Sequence, residues 1–165
     1  MKLFNKNTFI LKGLVKVNIK KIILLVVTFL LFNCKSYDET IKKYRPLPEH
    51  AVSEALEKYD AKNEHYSLLI FTSGFSDDDL KITNDSILFN GLLKSDKSMG
   101  LSKIIRINNS HNVNIIDKTN NKSIRLTRSN LVKYKYCYIR KNVGIYKNKS
   151  KFYTVIYSNS LRGFR

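Results

Sequence analysis

Lys103-Ile104-Ile105-Arg106-Ile107-Asn108, then Asn109-Ser110-His111, then Asn112-Val113-Asn114-Ile115-Ile116-Asp117: the chain runs apolar, turns polar, and runs apolar again within fifteen residues. Asn and Ser tolerate unusual backbone angles and hydrogen-bond locally, so the middle triplet reads as a turn and the flanks as strands. A connection this short joins antiparallel neighbours. Val113 and Ile115 share one face. Ile124 and Leu126 do the same in the next run, 123–127, which follows a turn at Asn120-Asn121. Ile105 and Ile107 take the phase opposite to Ile104 and Arg106, which leaves the inward face of that strand open.

Outward from this stretch the texture repeats. Runs rich in Ile, Leu, Val, Tyr and Phe occupy 67–73, 80–83, 86–93, 133–140 and 152–158, with 143–146 as an extra candidate, and Asn, Asp, Gly and Ser clusters punctuate them. Short strands without intervening helices predict a mainly β chain, an antiparallel β-sandwich or a small barrel of about eight strands. One helix precedes them. Pro48 suits a first turn and Glu49 the positive end of the dipole, while Ala51, Val52, Ala55, Leu56 and Tyr59 recur at helical spacing. The spacing predicts a helix over 48–62 that covers the sheet. Residues 35–45 are polar and charged and lead into Pro46-Leu47-Pro48, which predicts a tether of roughly 40 Å at full extension.

The N-terminus has its own grammar. Six lysines and no acidic residue precede Cys34, and the apolar run 22–32 follows Lys20-Lys21. A bilayer core needs about 20 residues of helix, so this run is short for a span and has the length of a signal-peptide core. With Leu31-Phe32-Asn33-Cys34 at its end, the segment resembles the export signal of bacterial lipoproteins, although Phe32 stands where a small residue is commoner. The resemblance implies that a peptidase cuts before Cys34 and that diacylglycerol is attached to its sulfur. It divides the chain into a signal peptide over 1–33, a lipidated cysteine and tether over 34–47, and a single β-rich domain with an N-terminal helix over 48–165. It also implies membrane attachment in the cell envelope, with the outer membrane as the expected site and its face open. Lys35-Ser36-Tyr37-Asp38-Glu39 loosely resembles the short acidic signals that send some lipoproteins to the cell surface. The other reading of the same residues is an uncleaved anchor helix with Cys34 as an ordinary thiol. Both put the chain on a membrane.

The chain has 165 residues and a formal charge of +17. Charge is segregated: residues 1–34 carry +6, residues 35–79 carry −4 and residues 80–165 carry +15. Such asymmetry ordinarily points to nucleic acid or an anionic surface. An exported chain meets little nucleic acid, so the expected partners are an anionic envelope polymer or lipid, or a partner protein; a solvated lysine-rich surface is the plainer alternative. With Cys34 lipidated, Cys137 has no intramolecular partner, and the core must hold the fold.

In Lys133-Tyr134-Lys135-Tyr136-Cys137-Tyr138-Ile139-Arg140, strand alternation places Tyr134, Tyr136 and Tyr138 on one face. Tyrosine rings beside Lys133, Lys135 and Arg140 could stack on sugars or meet an anionic polymer, or form half-buried core. Asp77-Asp78-Asp79 lacks calcium-loop spacing and reads as a solvated turn. His50, His65 and His111 stand in no zinc-spaced cluster or nucleophile elbow. The strand-rich half offers only Asp85, Asp96 and Asp117 as carboxylates for the opposed pair that a glycosidase needs. No cofactor or metal is expected. The residues therefore predict a non-catalytic binding or structural module. The alternatives are an envelope enzyme or inhibitor acting on polysaccharide or peptide, and an accessory subunit of an envelope complex.

Overall fold

The computed structural model describes residues 35–96, 98–142 and 151–163. The signal segment, Cys34 and the extra strand candidate 143–146 lie outside these residues.

Among the described residues nine strands form two sheets: β1 (Tyr37–Ile41), β2 (Tyr66–Phe71), β3 (Asp78–Thr83), β4 (Ile87–Leu93), β5 (Lys103–Asn108), β6 (Val113–Asp117), β7 (Lys122–Leu126), β8 (Tyr136–Lys141) and β9 (Tyr153–Ser158). One sheet has the order β1-β9-β8-β2-β5 and the other β4-β3-β6-β7. The two helices among the described residues are short, α1 (Glu49–Lys58) and α2 (Arg128–Leu131). The chain is thus mainly β with a sandwich-like architecture, as the turn pattern predicts. Among the described residues no helix is long and apolar enough to cross a membrane.

The core lies between the sheets. Leu69, Phe71, Ile139 and Val155 from the five-stranded sheet meet Leu80, Ile82, Val113, Ile115, Ile124 and Leu126 from the other. Ile105 and Ile107 join this core, while Ile104 turns to the opposite face and packs against the second cluster. The open phase of that strand is thereby settled. A second, smaller core lies between α1 and the outer face of the five-stranded sheet, where Val52, Ala55, Leu56 and Tyr59 rest on Leu68, Ile70, Tyr136, Tyr138 and Ile156. Central strands covered on both faces read as unbroken apolar runs. That is why Tyr66–Phe71 shows no alternation.

Three differences from the sequence pattern stand out. The expected tether is partly a strand: β1 pairs in parallel with β9 from Tyr37↔Tyr153 to Ile41↔Tyr157. Its charged Asp38 and Glu39 suit a sheet edge, where charge discourages pairing with other chains. The antiparallel expectation holds for the four-stranded sheet, but the other is mixed, because β2 also pairs in parallel with β8. The helix is shorter than 48–62. It stops at Lys58, and Asp60 then takes φ +50 to turn Ala61 into the core.

The registers give the sandwich two distinct ends. At one lie Ser36, the starts of β1, β9, β5 and β7, and the loops β2–β3, β4–β5 and β6–β7. At the other lie the β3–β4 and β5–β6 turns, α2 and the approach to β2.

Candidate functional site

The tyrosine row is not an open ring platform. Tyr136 and Tyr138 are buried beneath the α1 layer, at 2% and 1% exposure. The Tyr138 hydroxyl accepts the Arg162 N–H at 2.8 Å and donates to the Ser160 carbonyl at 3.2 Å, and the Tyr44 ring meets its ring edge-on. Tyr134 precedes β8, where the chain leaves α2, and packs toward the other core with its ring 5.5 Å from that of Tyr157. Lys135 is committed to structure: its Nζ donates to the carbonyls of Asn63 at 2.7 Å and Tyr66 at 2.9 Å. Burial holds its pKa below the ordinary lysine value, with the charge of Glu64 opposing. Lys133 and Arg140 remain exposed. The six residues are therefore dispersed over two faces and a loop, because β8 is a central strand with cover on both sides.

What the row does not form, a buried polar cluster does. Asp78, at the head of β3, receives Lys141 Nζ at 2.5 Å, the Ser76 N–H at 3.0 Å and Asn120 Nδ2 at 2.9 Å. The same Asn120 amide donates to Asp117 at 2.8 Å, and the Tyr153 hydroxyl also donates to Asp117. Burial alone would raise the Asp78 pKa. The Lys141 hydrogen bond, with those from Ser76 and Asn120, outweighs it and holds the carboxyl below its ordinary value. Burial and the neighbouring Asp117 push the Tyr153 phenol far up, so it stays a donor. Asp78, Asp117 and Asn120 come from the four-stranded sheet and its β6–β7 turn, and Lys141 and Tyr153 from the five-stranded sheet. Lys141 balances one of the two carboxylates, neutral donors satisfy the other, and the cluster links the sheets at the Ser36 end. Of the acidic triplet, Asp78 departs from the expected solvated turn, while Asp77 and Asp79 stay open to solvent: Asp78 and Asp117 stand on the buried phase of their strands, in line with Leu80, Ile82, Val113 and Ile115.

Two hollows open at the opposite end. One, of about 320 Å³, is lined by Glu64, His65, Tyr66, Asn108, Asn109, Ser110, Arg128 and Val132. Asn84 braces its floor, donating to the carbonyls of Asn108 and Asn112 at 3.2 Å and accepting the Asn108 N–H at 2.6 Å. Asn109 donates to the Glu64 carbonyl at 2.9 Å, while its Oδ1 is buried without a hydrogen-bond partner among the described residues. An imidazole, a guanidinium, a carboxylate and amides suit a small polar group. The second, of about 480 Å³, lies between Glu39, Thr40, Ile41, Asn130, Tyr134 and Tyr157. Of the expected site, Tyr134 lines this hollow.

The remaining chemical groups stand apart. His50 is exposed on α1, and His111 lies in the β5–β6 turn 2.9 Å from Ser110 Oγ. Among the described residues no three His, Cys, Asp or Glu side chains gather to hold a metal ion. Cys137 is fully buried and unpaired, and burial, with the charge of Glu39, pushes its thiol pKa far up. It should resist alkylation by iodoacetamide in the folded protein and react fully in denaturant, read as one added mass at Cys137. Equal labelling in both states would contradict the packing of β8.

No protein-family model matches the chain, and neither the curated proteins nor the solved structures contain a match to it.

Proposed function

We propose that this is an exported, lipid-anchored cell-envelope protein, most naturally of the outer membrane, whose sandwich acts as a non-catalytic binding module. The observation that carries the reading is the run Leu31-Phe32-Asn33-Cys34 behind a basic leader, with the first strand starting at Tyr37. A cut before Cys34 leaves the nine described strands in the mature chain. The binding half of the reading is supported by the two hollows at one end and by the closure of the buried carboxylates on Lys141, Asn120 and Tyr153. An anionic envelope polymer or a partner protein is the expected ligand, given the +15 charge of residues 80–165.

Growth with an alkyne analogue of palmitate should label the wild-type chain and place it in the membrane fraction. Cys34→Ala should lose the label entirely. An unlabelled wild-type chain that keeps residues 1–33 would overturn the anchor.

A further inference from the structure

We propose that the Ser36 end of the sandwich lies directly against the bilayer, its exposed lysines at the level of anionic phospholipid headgroups. The inference rests on the lipid-anchor reading above and adds an orientation to it.

The carrying fact is the lack of slack between anchor and fold. Ser36 is already fixed: its Oγ donates to the Ser123 carbonyl at 2.5 Å, and its carbonyl accepts the Tyr153 N–H at 3.2 Å. Two peptide links separate it from Cys34, a reach of no more than ~7 Å. A body tied that short cannot stand clear of the headgroups, so whatever surrounds Ser36 meets them. Around it are the exposed side chains of Lys35, Lys94, Lys118, Lys122 and Lys151. Lys94 pairs with Asp77 at 3.3 Å and Lys118 with Asp79 at 3.1 Å. Both pairs are open to solvent, where ion pairs are weak and lipid phosphates compete for the ammonium groups. Met99, 49% exposed in the β4–β5 loop, adds an apolar tip at the same end. Both hollows then face away from the membrane.

The chain contains no tryptophan, so single-tryptophan reporters are unambiguous. Met99→Trp and Val132→Trp replace exposed residues at the two ends. Each full-length variant, purified in its acylated form, is reconstituted into vesicles of phosphatidylglycerol and phosphatidylethanolamine carrying a doxyl-labelled phospholipid. Fluorescence of Met99→Trp should be quenched roughly twofold or more, and that of Val132→Trp left nearly unchanged. Adding Lys122→Glu should weaken the quenching at position 99. Equal quenching at both ends, in protein whose acyl mass is confirmed, overturns the orientation and leaves the anchor standing. Quenching at position 99 untouched by Lys122→Glu overturns the role of the lysines. A chain with no acyl mass overturns the anchor, and the orientation falls with it.

Discussion

Lys141→Met should lower the free energy of unfolding by about 3–5 kcal/mol, a large part of the ~5–15 kcal/mol that holds a domain of this size. The cost comes from what the substitution leaves behind. Lys141 and Asp78 have side chains only 7% and 2% exposed, so removing the ammonium strands a carboxylate beside Asp117 in a dry environment. The double variant Asp78→Asn, Lys141→Met should recover part of the loss, because the charge at position 78 leaves together with the ammonium; Ser76 and Asn120 donate to different oxygens of Asp78, so the amide keeps one of these two hydrogen bonds. Urea unfolding of the three proteins measures this, and a single variant as stable as the double one would refute the clamp.

The same pair sets an acid response with a definite sign. In the wild type the Asp78 pKa in the fold lies below its ordinary value of 3.8. Its contribution to stability is therefore complete above pH 3.8 and is lost as pH falls through the folded pKa. In Lys141→Met the hydrogen bond and the charge of Lys141 are gone, so burial is opposed only by the hydrogen bonds from Ser76 and Asn120 and the folded pKa moves up. The stability lost as pH falls through the folded pKa should then shrink. A shallower slope of stability against pH on the acid side in the variant than in the wild type is the expected signature. Parallel slopes would mean that Asp78 titrates the same in both.

How much of this was legible follows from what each residue sees. Strands β6 and β7 face the core with one side and water with the other, so Val113, Ile115, Ile124 and Leu126 announce themselves by alternation. Strand β1 does not, because one buried residue, Tyr37, and four more exposed ones make no pattern, and its partner β9 lies at the far end of the chain. The parallel pairing of β2 with β8 is equally silent, since turn chemistry reports only on neighbours in sequence. The tyrosine row was visible but its surroundings were not: only the fold shows that α1 covers Tyr136 and Tyr138. The polar clamp did leave a trace, in Asp78 and Asp117 standing in phase with Leu80, Ile82, Val113 and Ile115. A charge on an apolar phase calls for a buried partner, and Lys141 comes from the other sheet. The hollows left no trace, because Glu64, Asn109 and Arg128 meet through three separate connections.

Gly74→Ala should cost about 3 kcal/mol or more, and the reason is a carbonyl that cannot retreat. Gly74 has φ +101, and a Cβ there would sit 2.2 Å from the Lys141 carbonyl oxygen and 3.0 Å from the Lys141 Cβ. That carbonyl is held on both sides. Lys141 pairs with Tyr153 across β8 and β9, and its own N–H donates to the Ser73 carbonyl at 3.2 Å. The loop is held as firmly, since Thr72 donates twice to the Ile139 carbonyl and the Phe75 N–H donates to Ser95 Oγ at 2.9 Å. The methyl group must therefore push β2 and β8 apart where Lys141 reaches Asp78, so it damages the packing and the buried ion pair together. Gly100→Ala separates strain from clash. Gly100 also has positive φ, +61, but nothing lies within 4 Å of a Cβ built there, so only the backbone penalty of ~1–2 kcal/mol applies. Urea midpoints should fall clearly further for Gly74→Ala than for Gly100→Ala. Equal shifts would mean that the approach of the β2–β3 loop to β8 is looser than the 2.2 Å geometry requires.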